Sequence, residues 1–216
     1  MATSEGYGQR LAERLRAEQA QVIVTRVLRT ADMAVTETRC DDPVPGLSHS
    51  IQREDAYLVA LTLRDFPNRQ YWEDGRQMPV CDLRIGQVDF HDLRRDPVAL
   101  LDKPYHDLFF YLPRSALDAI ADDADAPRIG DLNHKPVASD DTTISSLGGA
   151  VLPALSLPYP SPLTSRSSRD RLARSFGRFI FGSQHQMIAL TPVLVSTGAS
   201  FRNSTSPMSI KSRRSC

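Results

Sequence analysis

Three adjacent residue pairs carry the side chains best suited to hold a small organic ligand: Tyr71 with Trp72, Phe90 with His91, and Tyr105 with His106. Aromatic and imidazole rings combine apolar area with a polar tip, the mixture that lines small-molecule pockets. The same residue types also serve ordinary core and rim packing. Metal chemistry has less support. His49, His91, His106, His134 and His185 form no HxH, HxxxH or HExxH, and Cys40, Cys81 and Cys216 form no CxxC, so the chain offers no local chelate. No metal or cofactor is assigned. Three widely spaced cysteines also give no disulfide framework. Glu73 and Asp74 are adjacent and point to opposite faces of a strand, which prevents joint acid–base work on one substrate. Ser115 lacks a GxSxG frame, and Gly148-Gly149 follows no strand and lacks the lysine of a phosphate loop. The sequence predicts no catalytic residue and a protein that is not an enzyme.

The elements that position these side chains are mostly strands. VIVTRVL (22–28) and MAVTETR (33–39) are β-branched runs of strand length. AYLVALTL (56–63) is apolar almost throughout and ends at the turn-prone Asp65, Pro67 and Asn68, as a strand buried on both faces does. RQYWED (69–74) meets Gly75 in an Asp-Gly hairpin and RQMPVCDLR (76–84) returns, with Pro79 marking an edge or bulge. GQVDFHDL (86–93) and PYHDLFFYL (104–112) complete the set, with Arg94, Arg95 and Asp96 read as a charged turn that limits edge pairing. Strands at this spacing, without helices between them, predict an antiparallel sandwich or barrel. Two amphipathic helices follow. Pro113 opens the first, with Leu117, Ile120, Ala121 and Ala124 on one face, and it ends near three aspartates. The second starts at Asp140 or Asp141 and carries Ile144, Leu147, Val151 and Leu152, although Gly148, Gly149 and Pro153 disfavour it. A short mobile helix over residues 9–19 precedes the strands, with Leu11 and Leu15 one turn apart.

Composition divides the chain near Leu155. The last 61 residues hold 14 of the serines against 7 in the first 155, and charges that sum to near +8 against near −8 in the body. The domain plan is therefore a helical extension (1–20), a globular domain (21–155) and a Ser/Arg/Pro-rich tail (156–216). SLPYPSPLTSRSSRDR (156–171) has the composition of a disordered linker. Leu172, Phe176, Phe179 and Ile180 could share a helical side with Arg171, Arg174 and Arg178 elsewhere, but Gly177 and the short length favour accidental periodicity. Basic residues here imply only weak, salt-sensitive contact with DNA. No apolar run reaches membrane-spanning length and no secretory signal precedes the body, which predicts a cytoplasmic protein without a membrane partner.

The run from Asp55 to Leu132, densest in YWEDGRQ, FHDLRRDP and FYLPRSALDAIADDA, resembles the N-terminal sensory domain of bacterial AraC-type transcriptional regulators. The resemblance implies a mainly β fold, a cupin-like antiparallel barrel or jelly roll followed by one or two amphipathic helices. It also implies effector sensing, and dimerisation through helices whose apolar positions are Leu117, Ile120, Ile144, Leu147 and Val151. Family members carry a C-terminal helix-turn-helix domain, whereas residues 156–216 contain no such helix pair. The expectation is a truncated or frame-shifted regulator that senses a small-molecule effector and forms homodimers, or mixed dimers with full-length relatives. A cupin-type metalloenzyme and a small interaction protein are the alternatives, since one fold hosts many functions. Translating the other two reading frames beyond about codon 155 checks the frame-shift expectation. A helix-turn-helix coding region should appear there, and its absence overturns the idea.

Overall fold

Alternation of side chains along a pleated strand gives one sheet two different faces, and in this protein each face packs against something different. The computed structural model describes residues 4–27, 31–123, 125–128, 130, 131 and 138–155. In chain order the elements are α1 (Ser4–Leu15), β1 (Gln19–Val27), β2 (Ala31–Cys40), β3 (Gly46–Leu47), β4 (Ala56–Thr62), β5 (Phe66–Arg69), β6 (Tyr71–Glu73), β7 (Arg76–Gln77), β8 (Cys81–Leu83), β9 (Gln87–Asp92), β10 (Val98–Leu101), β11 (Tyr105–Pro113), α2 (Arg114–Asp123), β12 (Ser139–Asp140) and α3 (Thr142–Leu155). A six-stranded sheet runs β1-β2-β11-β4-β9-β12, a four-stranded sheet runs β3-β10-β6-β7, and β5 pairs with β8. Every pairing is antiparallel. The fold is mainly β with helices, as the strand spacing predicts. The tail over 156–216, expected to be disordered, lies outside the described residues. Among the described residues no helix is long and apolar enough to cross a membrane.

β4 shows why its sequence is apolar at consecutive positions. It lies inside the sheet between β11 and β9, and all seven of its residues are buried. Tyr57, Val59 and Leu61 face α2 and α3, in a core with Val88, Leu108, Phe110 and Leu112. Ala56, Leu58 and Ala60 face the other way, toward α1 and the smaller sheets. The helices complete the first core with Leu117, Ile120, Ile144, Leu147 and Val151, none more than 8% exposed. These five side chains, expected to form a dimer contact, are covered by this chain's own sheet. They belong to the core of the single chain.

The N-terminal helix also departs from expectation. It begins earlier than residue 9, and it packs tightly: Tyr7 and Leu11 are 2% and 1% exposed, and the Tyr7 ring stacks on Tyr111 with centroids 3.8 Å apart. Tyr7, Leu11 and Leu15 form one stripe at four-residue spacing, and the sequence reading saw only its last two members. The helix is part of the domain, not an extension.

The Asp-Gly hairpin is as expected. Asp74 and Gly75 have φ of 48° and 73°, the left-handed pair of a two-residue turn, and β6 and β7 pair across it. Arg94 and Arg95 do more than blunt an edge. Arg94 holds the buried Asp92 through Nε and Nη2 at 2.9 and 2.7 Å, and it shares Asp131 with Arg114, at 2.8 and 3.1 Å. Arg114 also donates to the Tyr57 hydroxyl at 2.8 Å, so this network closes the end of the sheet where β4, β9 and α2 meet.

α3 starts where Asp141 Oδ1 accepts from the amides of Thr143 and Ile144 at 2.9 and 3.0 Å, a side-chain cap on an otherwise unpaired first turn. Gly148, which weakened the helix in the sequence reading, is needed for packing. A Cβ placed there would stand 2.3 Å from Leu61 Cδ2, so the missing side chain lets α3 lie close on β4. Gly149 faces open space. Gly148→Val should therefore cost about 1–3 kcal/mol through overpacking. Gly149→Ala should gain up to about 1 kcal/mol of helix propensity. Urea-denaturation midpoints of the two variants should move in opposite directions.

Candidate functional site

Strand positions of one parity converge on the space between the large sheet and the smaller ones. Asp89 and His91 on β9, and Tyr105, Asp107 and Phe109 on β11, are each spaced by two, which puts each set on one face of its strand, and Arg69 at the end of β5 and Tyr71 at the start of β6 join them. All of them line a cavity of about 80 Å³, with Leu58, Ala60, Phe66, Leu83 and Leu101 as its apolar walls. That is enough for a compact molecule of a few carbon atoms or a small group of waters.

The polar side of the cavity is built around a buried ion pair. Arg69 contacts Asp89, and their side chains are 6% and 3% exposed. The Arg69 guanidinium carbon lies 4.3 Å from the centre of the Tyr71 ring, a cation–π contact that offsets part of its lost hydration. His91 Nε2 approaches Asp89 at 3.4 Å, and its ring lies against Tyr71 with centroids 5.0 Å apart. Tyr71 donates its hydroxyl to Glu73 at 2.9 Å, and Arg95 lies 3.3 Å from the other oxygen of Glu73. Tyr105 donates to the carbonyl of Leu15 at 2.6 Å, tying the end of α1 to the cavity wall. Burial pushes both phenols above their ordinary range, so they remain neutral hydroxyl donors.

Asp107 is the outlier. Burial pushes its carboxyl up to about 7, with Arg69 opposing the rise and Asp89 adding to it, and no hydrogen bond contributes. It is half-buried, and its free side is the cavity it lines. In the sheet it stands directly between Thr38 on β2 and Thr62 on β4, so the three side chains share one face of the sheet, and of the three Asp107 lines the cavity. The hydroxyls of Thr38 and Thr62 are buried and lack a hydrogen-bond partner among the described residues.

Of the six side chains nominated from sequence, Tyr71, His91 and Tyr105 line the cavity and Trp72, Phe90 and His106 do not. Each nominated pair was adjacent, and a pleat sends adjacent residues to opposite faces. Phe90 packs on the helix-side core, and His106 Nε2 pairs with Glu37 at 2.7 Å. Trp72 is half-buried on the four-stranded sheet, paired with Val98 and Gln77. Sequence reasoning missed Arg69, Asp89 and Asp107. Their signal was present as charged residues two positions from nominated ones. Among the described residues no group of three or more His, Cys, Asp or Glu side chains is placed to hold a metal ion.

No protein-family model matches the chain, and no curated protein matches it. Solved structures similar to it include KdgF from a Halomonas species, at 10% identity and a TM-score of 0.31, covering 44% of this chain and 78% of that one. The AraC-like transcriptional activator CuxR is similar at 12% identity and a TM-score of 0.43, covering 69% of this chain and 51% of that one. A Cupin 2 conserved barrel domain protein from Salinispora arenicola is similar at 12% identity and a TM-score of 0.31, covering 44% of this chain and 74% of that one. The chain thus spans about half the length of the AraC-like activator.

The raised Asp107 carboxyl has a consequence for stability. Between the ordinary carboxylate range and about pH 7, the folded state holds a proton at Asp107 that the unfolded state has released. Folding stability contributed by this group is present at low pH and is lost as pH rises through about 7, at about 1.4 kcal/mol for each unit of displacement. Asp107→Asn should remove that part of the slope. Urea midpoints at pH 5 and pH 8 should differ less in the variant than in the wild type.

Proposed function

We propose that this protein is a small-molecule sensing domain of a bacterial, cytoplasmic AraC-type transcriptional regulator and not an enzyme. The observation that carries the proposal is the cavity between the sheets, whose walls are apolar and whose polar groups gather at one side around Arg69, Asp89, His91 and Asp107. Pockets that recognise small ligands have this composition. The transcriptional part of the reading rests on the resemblance of residues 55–132 to the regulator family. YWEDGRQ forms the β6–β7 hairpin, FHDLRRDP spans the end of β9 and the arginines that hold Asp92, and FYLPRSALDAIADDA runs from β11 through α2.

A sensing role fits the electrostatics better than a metal-dependent one. Asp89, the carboxylate nearest His91, is already paired with the Arg69 guanidinium, and that fixed positive charge opposes a cation at the same oxygens. The partners in this reading are the effector, a second copy of the chain or a longer relative, and DNA only weakly through the basic tail. With Leu117, Ile120, Ile144, Leu147 and Val151 inside the core, association must use other surfaces.

A thermal-shift screen with a library of small metabolites tests the proposal. A ligand at a hundred times its Kd adds about 2.7 kcal/mol of stability, which at about 2–4 °C per kcal/mol raises the Tm of a domain of this size by roughly 5–11 °C. Ala60→Phe and Ala99→Leu, which fill the cavity from opposite walls, should fold and lose that response. A hit that shifts wild type and both filled variants equally would place binding elsewhere and sink the reading.

A further inference from the structure

Two carboxylates, Asp89 and Asp107, line the cavity with Arg69 and His91. Arg69 is the cationic side chain lining it, and Asp89 already holds that guanidinium. His91, from the same strand as Asp89, approaches Asp89. The titratable and charged groups around Asp107 are therefore Arg69 from β5, Asp89 and His91 from β9, Tyr71 from β6 and Tyr105 from its own strand. Glu37 and His106 pair with each other on the opposite face. Asp107 interacts with Arg69 and Asp89 through space alone, and burial lifts its carboxyl to about 7. A carboxylate so placed is costly until a positive charge meets it.

We propose that the cavity takes a small organic amine, its ammonium group against Asp107 and its short apolar body against Phe66, Leu83, Leu101 and Phe109. The proposal rests on the reading of this cavity as a ligand site and assigns the chemical class of the ligand. An alkylammonium group presents three N–H donors. Asp107 supplies a charged acceptor, and the unpartnered hydroxyls of Thr38 and Thr62 stand beside it on the same face, where directly opposed residues have Cβ atoms about 4.5–5.5 Å apart. Tyr105 and Phe109 line the same space, and a ring face turned toward the ligand attracts an ammonium group. Binding of the amine sets a positive charge against Asp107, whereas a carboxylate ligand would bring a third carboxylate into the cavity.

The class makes a linked prediction in pH. The amine is protonated throughout, so binding requires Asp107 to lose its proton. Affinity should rise about tenfold per pH unit below about 7 and level off above it. Isothermal titration of the full chain with isobutylamine, isobutanol and isobutyrate at pH 6 and pH 8 reads this directly. The expected result is that the amine binds most tightly, gains at pH 8, and loses at least about tenfold in Asp107→Asn while isobutanol is unaffected by that substitution. A circular-dichroism spectrum and urea midpoint of Asp107→Asn confirm that it is folded. Isobutanol or isobutyrate binding as tightly as the amine, or full amine affinity in Asp107→Asn, would overturn the amine class and leave the sensing cavity intact. Failure of all three probes to bind would also overturn it, and the sensing reading is then judged by the library screen and the filled variants.

Discussion

The pleat of the six-stranded sheet is the constraint on which the rest of this protein depends. Because successive side chains leave a strand on opposite sides, each of β4, β9 and β11 must supply a helix-facing core with one parity and a cavity wall with the other. Tyr57, Val59 and Leu61 go to α2 and α3, and Leu58 and Ala60 go to the cavity. Val88 and Phe90 go one way, Asp89 and His91 the other. A one-residue slip in any of these registers would exchange the two sets, driving Asp89 and Asp107 into the apolar helix interface and emptying the cavity of its polar groups. The register is thus held by packing on both faces at once.

Helix placement follows from the same constraint. The odd face of β4 is continuous and apolar, and α3 can cover it closely because Gly148 presents no side chain to Leu61. At the end of the sheet, where β9 runs into the Arg94 turn, polar groups replace apolar ones. Asp92 and Tyr57 are buried there, and Arg94 and Arg114 satisfy both. Buried charges of this kind are tolerable because they are paired and hydrogen-bonded, not because each pair adds much to stability. The arginines consequently act as fasteners between β4, β9 and the start of α2.

How much of this was legible in the sequence depended on whether a feature is local. The buried run of β4, the Asp74-Gly75 turn, the end of α2 near its aspartates and the acidic cap before α3 each carry their signal within a few residues. The N-terminal helix was underestimated because its stripe starts at Tyr7, between two glycines, and its partner Tyr111 lies about a hundred residues away. The apolar faces of α2 and α3 were visible, but a stripe does not reveal whether it covers its own sheet or another molecule. The candidate site was half legible for a similar reason. Tyr71, His91 and Tyr105 stand out by type, while Arg69, Asp89 and Asp107 look like surface charges until the strands are paired. Counting by two from each nominated residue would have found them.

Asp107 has no fold-level reason to be a carboxylic acid. Its row in the sheet is Thr38, Asp107, Thr62, and a third threonine or a valine would suit both the strand and its apolar neighbours. The carboxyl instead carries a desolvation penalty that grows as pH passes from the acid range to about 7, and no neighbouring donor relieves it. Arg69 and Asp89 differ in this respect, because each compensates the other and Tyr71 and His91 pack around them. A group that weakens the folded state near neutrality, faces a cavity and has the guanidinium that lines it already engaged by Asp89 is better explained by what enters that space than by the packing around it. On this argument the ion pair organises the cavity and Asp107 gives it a ligand preference.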